Sequence, residues 1–349
     1  MVEYGEILGG PADLPYVAGE VDLAGRKILL VPFYSSEAEE WFAVADVGNR
    51  QLRRIRLVDV VAGLLVAPEA PKPDEDLLIP LADLVFNRMS FPNLVRPLNG
   101  LLDVVENCAS ILELYDQISP LYARGHPGAQ QVVQTLVNQL MVVCRTLYDV
   151  LHGLSREACS TVKRPEDLSM PLMEPLPKRV SKLMLKDGKP WAADELTMKY
   201  RLPEPLAKFY CAQAPVFSFI RETRDRVVHR GRNAGEPGYV SSFDEGLAVS
   251  IEQPPWSDLE IWDEDSVVRG KFGSLRKVFA FLIAEVLGAS TVFARAYLSC
   301  IALPQPISPD NHLFLRGPLN HHLMTLDEVT ASPWERATRG GQDDGVPET

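Results

Sequence analysis

Residues 131–154, QVVQTLVNQLMVVCRTLYDVLHGL, have apolar side chains at the spacing that places them on one face of an α-helix. Leu136, Leu140, Leu147 and Leu151 belong to this set, at intervals of four and seven residues. Side chains separated by three, four or seven positions lie on the same side of a helix. The segment therefore predicts a long amphipathic helix and indicates a mainly α-helical fold.

Three further segments show the same periodicity and predict long helices. They are Pro92–Ile118, Glu204–Gly231 and Phe272–Ala302. In the second of them, a proline in the first turn and a glycine after the last turn are typical residues at the start and the end of a helix. Shorter helices are predicted between residues 156 and 200, for example at Lys178–Leu185.

The first part of the chain has a different pattern, which predicts strands. Arg26–Tyr34 and Trp41–Val47 are short apolar runs, and Gly48 and Asn49 form a turn signal after the second run. The acidic, proline-rich stretch Ala67–Asp76 has a composition that cannot pack a core, so we expect a loop or linker. These observations predict a small β-rich N-terminal domain over residues 1–90.

The helical part is predicted to cover residues 91–303 and to contain an inserted β-hairpin at about 239–268. Gly246–Glu252 and Leu259–Trp262 are the two extended runs expected to pair in that hairpin. Residues 304–349 are predicted to be a C-terminal extension, disordered from about residue 331 because its tail is polar and rich in glycine.

Charge and composition restrict the partners and the location of the protein. A net charge of −12 excludes broad, unspecific attraction to nucleic acid, so any such contact must be local. The acidic N-terminus lacks the features of a signal peptide. The apolar stretch Val278–Leu303 carries Glu285 and Arg295, which predicts a buried helix and no membrane contact. The five cysteines never form CxxC, so we expect a cytoplasmic protein without disulfides, zinc or a cofactor.

One cation lies at an unusual position on the predicted helix Glu204–Gly231. At 100° per residue, Arg224 lies within about 40° of both Phe217 and Ile220. This places a guanidinium in the centre of the predicted apolar face. An unpartnered charge there would be very costly, so we expect Arg224 to meet a carboxylate, carbonyl groups, a cleft or a second subunit.

Asp225 and His229 supply groups for acid–base chemistry next to this cation. They are four residues apart, so the carboxylate of Asp225 could orient the imidazole of His229 and stabilise its protonated form. While Arg224 stabilises charge on a phosphate, His229 could act as a base on a ribose 2′-hydroxyl or as an acid to the leaving oxygen. The surrounding arginines predict a local site for RNA or another phosphate: Arg221, Arg226, Arg230 and Arg232.

The segment Arg224–His229, Arg-Asp-x-x-x-His at the end of a long helix, resembles the Arg-x4-6-His motif of the HEPN superfamily (higher eukaryotes and prokaryotes nucleotide-binding). The resemblance implies an up-and-down helical bundle over roughly residues 93–303 and catalytic roles for Arg224, Asp225 and His229. It also implies a homodimer in which two motifs form one composite site. Many members are metal-independent endoribonucleases of toxin, abortive-infection or antiviral defence systems, and this is our leading hypothesis.

A second hypothesis is a non-catalytic HEPN-like module that binds a nucleotide or builds an interface, with the N-terminal domain recognising a protein partner. The net negative charge of the chain favours this non-catalytic module. A third is an enzyme whose site lies in residues 156–200, where the sequence shows no recognisable chemistry. The structural alternatives for the motif itself are an ion pair with another helix for Arg224, a C-terminal cap for His229 and a helix-dipole interaction for the remaining arginines.

No metal site is predicted from the sequence. His321 and His322 form a doublet, but no third ligand follows at the spacing that a metal site requires. The acidic runs at residues 74–76 and 263–265 are typical of solvated loops.

Overall fold

The computed structural model of the chain describes residues 92–159, 173–229, 240–300 and 320–331, five strands outside these ranges and a few single positions. The chain divides into two compact units. Residues 1–95 and 303–321 form the first, here called the β unit, and residues 96–302 and 322–349 form the second, the helical unit. The segment predicted as a C-terminal extension is therefore shared between both units, and its tail beyond residue 334 lies outside the described residues.

The β unit contains the strands that the apolar runs predict. An antiparallel sheet consists of β1 (Val31–Ser35), β2 (Glu40–Asp46) and β3 (Leu52–Arg56), with β2 in the centre. A fourth strand, β4 (Gly63–Ala67), follows. β1 and β2 match the predicted runs because short apolar segments rich in aromatic and β-branched residues favour extended backbone.

The helical unit begins with two long helices. They are α1 (Pro92–Ala123), of which the residues from Arg96 onward belong to this unit, and α2 (Ala129–Cys159). Two short helices follow, α3 (Ser181–Met184) and α4 (Ala193–Tyr200). Between them, β5 (Leu185–Lys186) and β6 (Lys189–Pro190) form a small hairpin.

A third long helix, α5 (Glu204–His229), leads into an inserted sheet that is larger than the predicted hairpin. Its strands are β7 (Val240–Phe243), β8 (Gly246–Ser250), β9 (Val267–Val268) and β10 (Phe272–Ser274), in the antiparallel order β7-β8-β10-β9. The hairpin pairs β7 with β8 and does not use Leu259–Trp262.

The prediction of a strand at Leu259–Trp262 is wrong for a local reason. This segment follows a 3₁₀ turn at Trp256–Asp258, and the indole N–H of Trp262 donates to the carbonyl of Trp256 at 2.9 Å. Trp256 is buried and packs against Phe219 of α5, at 6.3 Å between the ring centroids. Leu259 is therefore buried, and Ile261 and Trp262 partly buried, by a compact turn rather than by strand pairing.

The last long helix, α6 (Leu275–Leu298), is central to the helical unit, as its sequence predicts. Ser274 caps its first turn by accepting a hydrogen bond from the backbone N–H of Lys277 at 3.3 Å, so the helix begins three residues later than predicted. By length and composition this one helix of the described residues could cross a membrane, but most of its apolar window is buried inside the protein.

The chain then returns to the β unit through β11 (His312–Arg316), which pairs antiparallel with β4. Periodicity could not reveal this pairing because the two strands are separated by the whole helical unit. Two short helices follow, α7 (Asn320–Met324) and α8 (Leu326–Ala331). Leu326 and Val329 of α8 are buried, and α8 packs against α6.

The core of the helical unit lies where α2, α5 and α6 pack on one another. Its largest buried side chains are tyrosines and phenylalanines. Aromatic pairs link the long helices: Tyr148–Phe217, Phe209–Phe293 and Tyr115–Phe279. The protein is thus mainly helical with small antiparallel sheets, and the buried packing fixes the second half of α5 against α2.

Candidate functional site

The predicted motif occupies the last two turns of α5. Phe217 and Ile220 are fully buried, and they continue the apolar stripe that the sequence predicts. At the next turn the buried position is taken by Thr223, which is 3% exposed. The side chain of Arg224 is 34% exposed. Arg224 therefore lies at the edge of the buried face and not in its centre. At this edge, solvent and solutes can reach its guanidinium.

The carboxylate that pairs with Arg224 belongs to Asp225, the next residue in the sequence. Oδ1 of Asp225 accepts hydrogen bonds from Nε of Arg224 at 3.1 Å and from Nη2 at 2.6 Å. Oδ2 of the same carboxylate lies 3.9 Å from Nε of Arg221. Among the described residues, Arg224 pairs with Asp225 of its own helix and forms no ion pair with another helix. Asp225, expected to orient His229, binds two arginines through its carboxylate.

His229 is the last residue of α5, and its side chain lies outside the described residues, as do Arg230 and Arg232. The helical backbone places His229 four residues after Asp225, which is the spacing that lets two side chains share one side of a helix. The orientation of His229 by Asp225 therefore stays a prediction.

Arg226 does not share the surface of the other described arginines of the motif. Its Nη2 lies 3.8 Å from Oε2 of Glu222, one turn earlier on α5. It is two positions after Arg224, which places it about 160° away around the helix. The structure thus brings Arg221 and Arg224 together around Asp225 and places Arg226 apart from them.

A further arginine, which the sequence analysis did not select, joins this surface from α2. The guanidinium of Arg145 lies over the ring of Phe217, with 4.6 Å from Cζ to the ring centroid. Its Nη1 lies 2.8 Å from Oδ1 of Asp149, one turn later on α2. Burial lowers the pKa of Arg145, and the positive charges of Arg224 and Arg221 lower it further.

A signal for Arg145 was present in the sequence. It is the only lysine or arginine between Ala129 and Ser155, in a helix whose apolar face includes the adjacent Cys144. An isolated cation beside the buried face, with an acidic residue four positions later, is the pattern of a charge held at the edge of a core. What the sequence could not show is that α2 packs against the end of α5.

No protein-family model, curated protein or solved structure matches the chain. The chemistry of the site therefore has to be argued from its own residues.

A buried histidine lies two turns along α2 from Arg145. His152 is 3% exposed, and its Nε2 donates to the carbonyl of Pro177 at 2.7 Å. Its Nδ1 is buried without a hydrogen-bond partner among the described residues. Burial lowers the pKa of His152, and the hydrogen bond to Pro177 only partly opposes this effect. His152 is therefore a core histidine, held by its hydrogen bond to Pro177, in which burial favours the neutral imidazole.

The described residues contain no group of three or more His, Cys, Asp or Glu side chains arranged for a metal ion. Of the predicted histidine doublet, His322 has a structural role, because its Nε2 lies 2.6 Å from Oε2 of Glu113 on α1. What the described site offers is a surface of guanidinium groups that are partly exposed and only partly neutralised. Such a surface can bind an oxyanion and stabilise charge that develops on it.

Proposed function

We propose that the protein is a HEPN-like, metal-independent endoribonuclease, in which Arg224, Asp225 and His229 form the catalytic set. The observation that carries the proposal is that Arg224 is accessible at the edge of the core, beside a second and a third arginine, at the end of a helix that closes with His229. A guanidinium sealed inside the core could not touch a substrate.

The proposed reaction is a transfer of the phosphodiester within the RNA strand. His229 takes the proton from the ribose 2′-hydroxyl, and the 2′-oxygen attacks the adjacent phosphorus. The bond to the 5′-oxygen of the next nucleotide breaks, and that oxygen receives a proton from an imidazolium or from water. Arg224 stabilises the added negative charge on the phosphate. The products are a 2′,3′-cyclic phosphate and a 5′-hydroxyl, and DNA is not cleaved because it lacks the 2′-hydroxyl.

The same proposal includes a homodimer. One His229 cannot be both base and acid in a single step, and a second copy of the motif would supply the second imidazole. The arrangement of the four long helices α1, α2, α5 and α6 is compatible with a bundle of this kind. The remaining elements of the proposal are a cytoplasmic location, a role in toxin, abortive-infection or antiviral defence, and recognition of a protein partner through the β unit.

The proposal is tested by incubating the purified protein with single-stranded RNA in EDTA. We expect the wild-type protein to release fragments with 2′,3′-cyclic phosphate ends and to leave DNA of the same sequence intact. We expect His229→Ala to abolish cleavage and His126→Ala, which changes an exposed histidine of the α1–α2 loop, to cleave normally. A wild-type protein that cleaves no RNA, or a His229→Ala protein that cleaves equally well, would contradict the catalytic role.

A non-catalytic nucleotide-binding or interaction module is the second candidate, and one contact favours it. Asp225 occupies two donor nitrogens of Arg224, which reduces the positive charge that a substrate phosphate would meet. The net charge of −12 points in the same direction. In that case the protein would bind a nucleotide or RNA phosphate in the same assay and leave the RNA intact.

A further inference from the structure

Arg145 is a cation that the protein keeps largely out of water. Its side chain is only 12% exposed, although it belongs to a residue type that is almost never buried without a partner. The guanidinium packs on the ring of Phe217, and such a contact stabilises a cation only modestly. Burial of this charge is therefore costly unless other groups compensate for it.

The compensation within the described residues is incomplete. Asp149 forms an ion pair with Nη1 at 2.8 Å, but Nε is buried and has no hydrogen-bond partner among the described residues. Asp149 itself is exposed, since its side chain retains 53% of its accessible surface, so water weakens its attraction for the arginine. Arg145 thus has unused hydrogen-bonding capacity at a position where that capacity is costly to leave unused.

The surroundings of Arg145 add positive charge instead of removing it. The guanidinium of Arg145 packs on Phe217, and Arg221 and Arg224 follow Phe217 by four and seven positions on the same side of α5. Their positive charges disfavour the charged form of Arg145 and so lower its pKa. These three residues, here called the arginine cluster, face two carboxylates, Asp149 and Asp225, which leaves this group of five side chains with a net charge of +1. Three like charges from two helices are held together in a protein that is acidic overall, and an anion between them would relieve the repulsion.

We propose that the arginine cluster is a phosphate-binding site and that Arg145 is its specificity-determining residue. Binding exchanges the carboxylate of Asp225 for phosphate oxygens, so that Arg224 and Arg221 turn their donors to the ligand. A phosphate has more acceptor oxygens than a carboxylate and can accept from several guanidinium forks at once. The planar fork of Arg145, which packs on Phe217 and pairs with Asp149, supplies directional donors from α2 in addition to those of the partly exposed arginines of α5.

This inference rests on the proposed function in one respect, since it takes the phosphate to be that of an RNA chain. Unlike the proposed function, this inference requires only that the protein binds phosphate, and binding does not depend on cleavage. The two are separated by using inorganic phosphate and an RNA oligonucleotide with 2′-O-methyl riboses, which cannot be cleaved by attack of the 2′-oxygen. Phosphate binding alone indicates a general oxyanion site, and tighter binding of the oligonucleotide identifies an RNA backbone as the ligand.

The test compares full-length wild-type protein with Arg145→Gln and Arg145→Lys in titration calorimetry with phosphate and in fluorescence anisotropy with the oligonucleotide. We expect Arg145→Gln to weaken binding at least about tenfold, which corresponds to the loss of one charge-assisted hydrogen bond. Arg145→Lys keeps the charge and loses the fork, and we expect an intermediate loss. Arg276→Lys is the control, since Arg276 forms an ion pair with Asp116 on another part of the helical unit.

Salt dependence separates a binding role from a structural one. If Arg145 contacts the phosphate, the slope of log K against log salt for the oligonucleotide falls in magnitude by about one in Arg145→Gln. A variant that only loosens the fold would keep the slope. If Arg145→Gln does not fold, Arg224→Gln carries the comparison of salt slopes for the arginine cluster, and Arg145→Lys carries the comparison of affinities.

The inference is overturned if wild-type protein does not bind either ligand, or if both Arg145 variants bind as tightly as the wild type. Binding that depends on Arg145, together with RNA that stays intact, would retain this inference and reject the ribonuclease. If the wild-type protein cleaves RNA and both Arg145 variants bind the ligands as tightly as the wild type, the ribonuclease is retained and this inference is rejected.

Discussion

Asp225 and Arg224 are neighbours in sequence, and one carboxylate oxygen of Asp225 accepts hydrogen bonds from two nitrogens of Arg224, at 3.1 and 2.6 Å. Adjacent residues of a helix point in directions about 100° apart, so this contact requires both side chains to bend toward each other over the end of α5. In the absence of a ligand, the carboxylate of Asp225 fixes the position of the Arg224 guanidinium and neutralises part of its positive charge. If the proposed function is correct, removal of the Asp225 carboxylate should affect phosphate binding and RNA cleavage in opposite directions.

The first prediction concerns Asp225→Asn. Loss of the carboxylate frees Arg224 and reduces the competition with phosphate, so we expect phosphate affinity to increase by about two- to fivefold, the range set by a partly exposed ion pair. Cleavage of RNA is expected to decrease, because His229 loses its proposed orienting group. Glu222→Gln removes the carboxylate that pairs with Arg226 on the same helix and should change neither quantity. Weaker phosphate binding by Asp225→Asn would contradict the exchange of carboxylate for phosphate.

A second prediction concerns the ion pair that joins α6 to α1. Arg276 donates from Nε to Oδ1 of Asp116 at 3.0 Å and from Nη2 to Oδ2 at 3.2 Å, and both side chains are mostly buried. Asp116→Asn or Arg276→Gln should lower the free energy of unfolding by about 1–3 kcal/mol, measured by urea denaturation. A double-mutant cycle should give a coupling of at least about 0.5 kcal/mol.

The exposed pair of Lys271 and Glu252 provides the comparison for that measurement. Its members are 3.2 Å apart and more than half exposed, so Lys271→Gln should alter stability by less than about 0.5 kcal/mol. Equal losses from the exposed and the buried pair would show that burial does not decide the contribution.

The third prediction is a pH dependence caused by His152. Burial lowers the pKa of His152 in the folded protein below its ordinary value of about 6.5. Between these two pKa values, the unfolded chain binds more protons at His152 than the folded protein does. The contribution of the neutral imidazole is therefore complete above that pH and decreases as the pH falls toward the lowered pKa. We expect the urea midpoint of the wild-type protein to fall between pH 7.5 and pH 5 more steeply than that of His152→Gln. His126→Gln, at an exposed position, should follow the wild type. Parallel curves for wild type and His152→Gln would show that another group causes the dependence.

The fourth prediction uses two glycines of the helical unit with opposite surroundings. A Cβ at Gly273 would overlap the ring of Trp262 and would lie 2.8 Å from Cγ2 of Ile251, so Gly273→Ala should destabilise the protein by about 1–3 kcal/mol. A Cβ at Gly288, inside α6, would meet no atom within 4 Å. Gly288→Ala should therefore stabilise the protein by about 0.5–1 kcal/mol. Thermal unfolding of both variants tests this contrast, which fails if the two shifts in Tm have the same sign.

The sequence predicts the four long helices well because helical periodicity is local and each segment contains enough turns to show it. How these helices pack on one another is harder to predict from the sequence. Arg224 is predicted in the centre of the apolar face from its angles to Phe217 and Ile220 on an ideal helical wheel, whereas Thr223 takes the buried position at that turn. Wheel angles place a residue to within a fraction of a turn, which is not enough to separate the centre of a face from its edge.

Long-range relationships account for the remaining differences. Arg145 belongs to the site only because α2 packs against α5, and Leu259–Trp262 avoids pairing because Trp256 is buried against Phe219. Neither contact leaves a periodic signal in the sequence. The pattern of residues located the motif, and the three-dimensional packing added the cation that makes the arginine cluster.

The pairing of β4 with β11 sets the order in which the protein can be completed during translation. Ala67 has left the ribosome long before His312 is added, and at ordinary rates of synthesis the interval is on the order of ten to fifty seconds. During that time the nascent chain carries β4 without the strand that it pairs with, and such an edge is a template for aggregation. Residues 96–302 of the helical unit are made in between and can fold before β11 has been synthesised. The edge of β4 must therefore be kept from aggregating until His312–Arg316 has been synthesised.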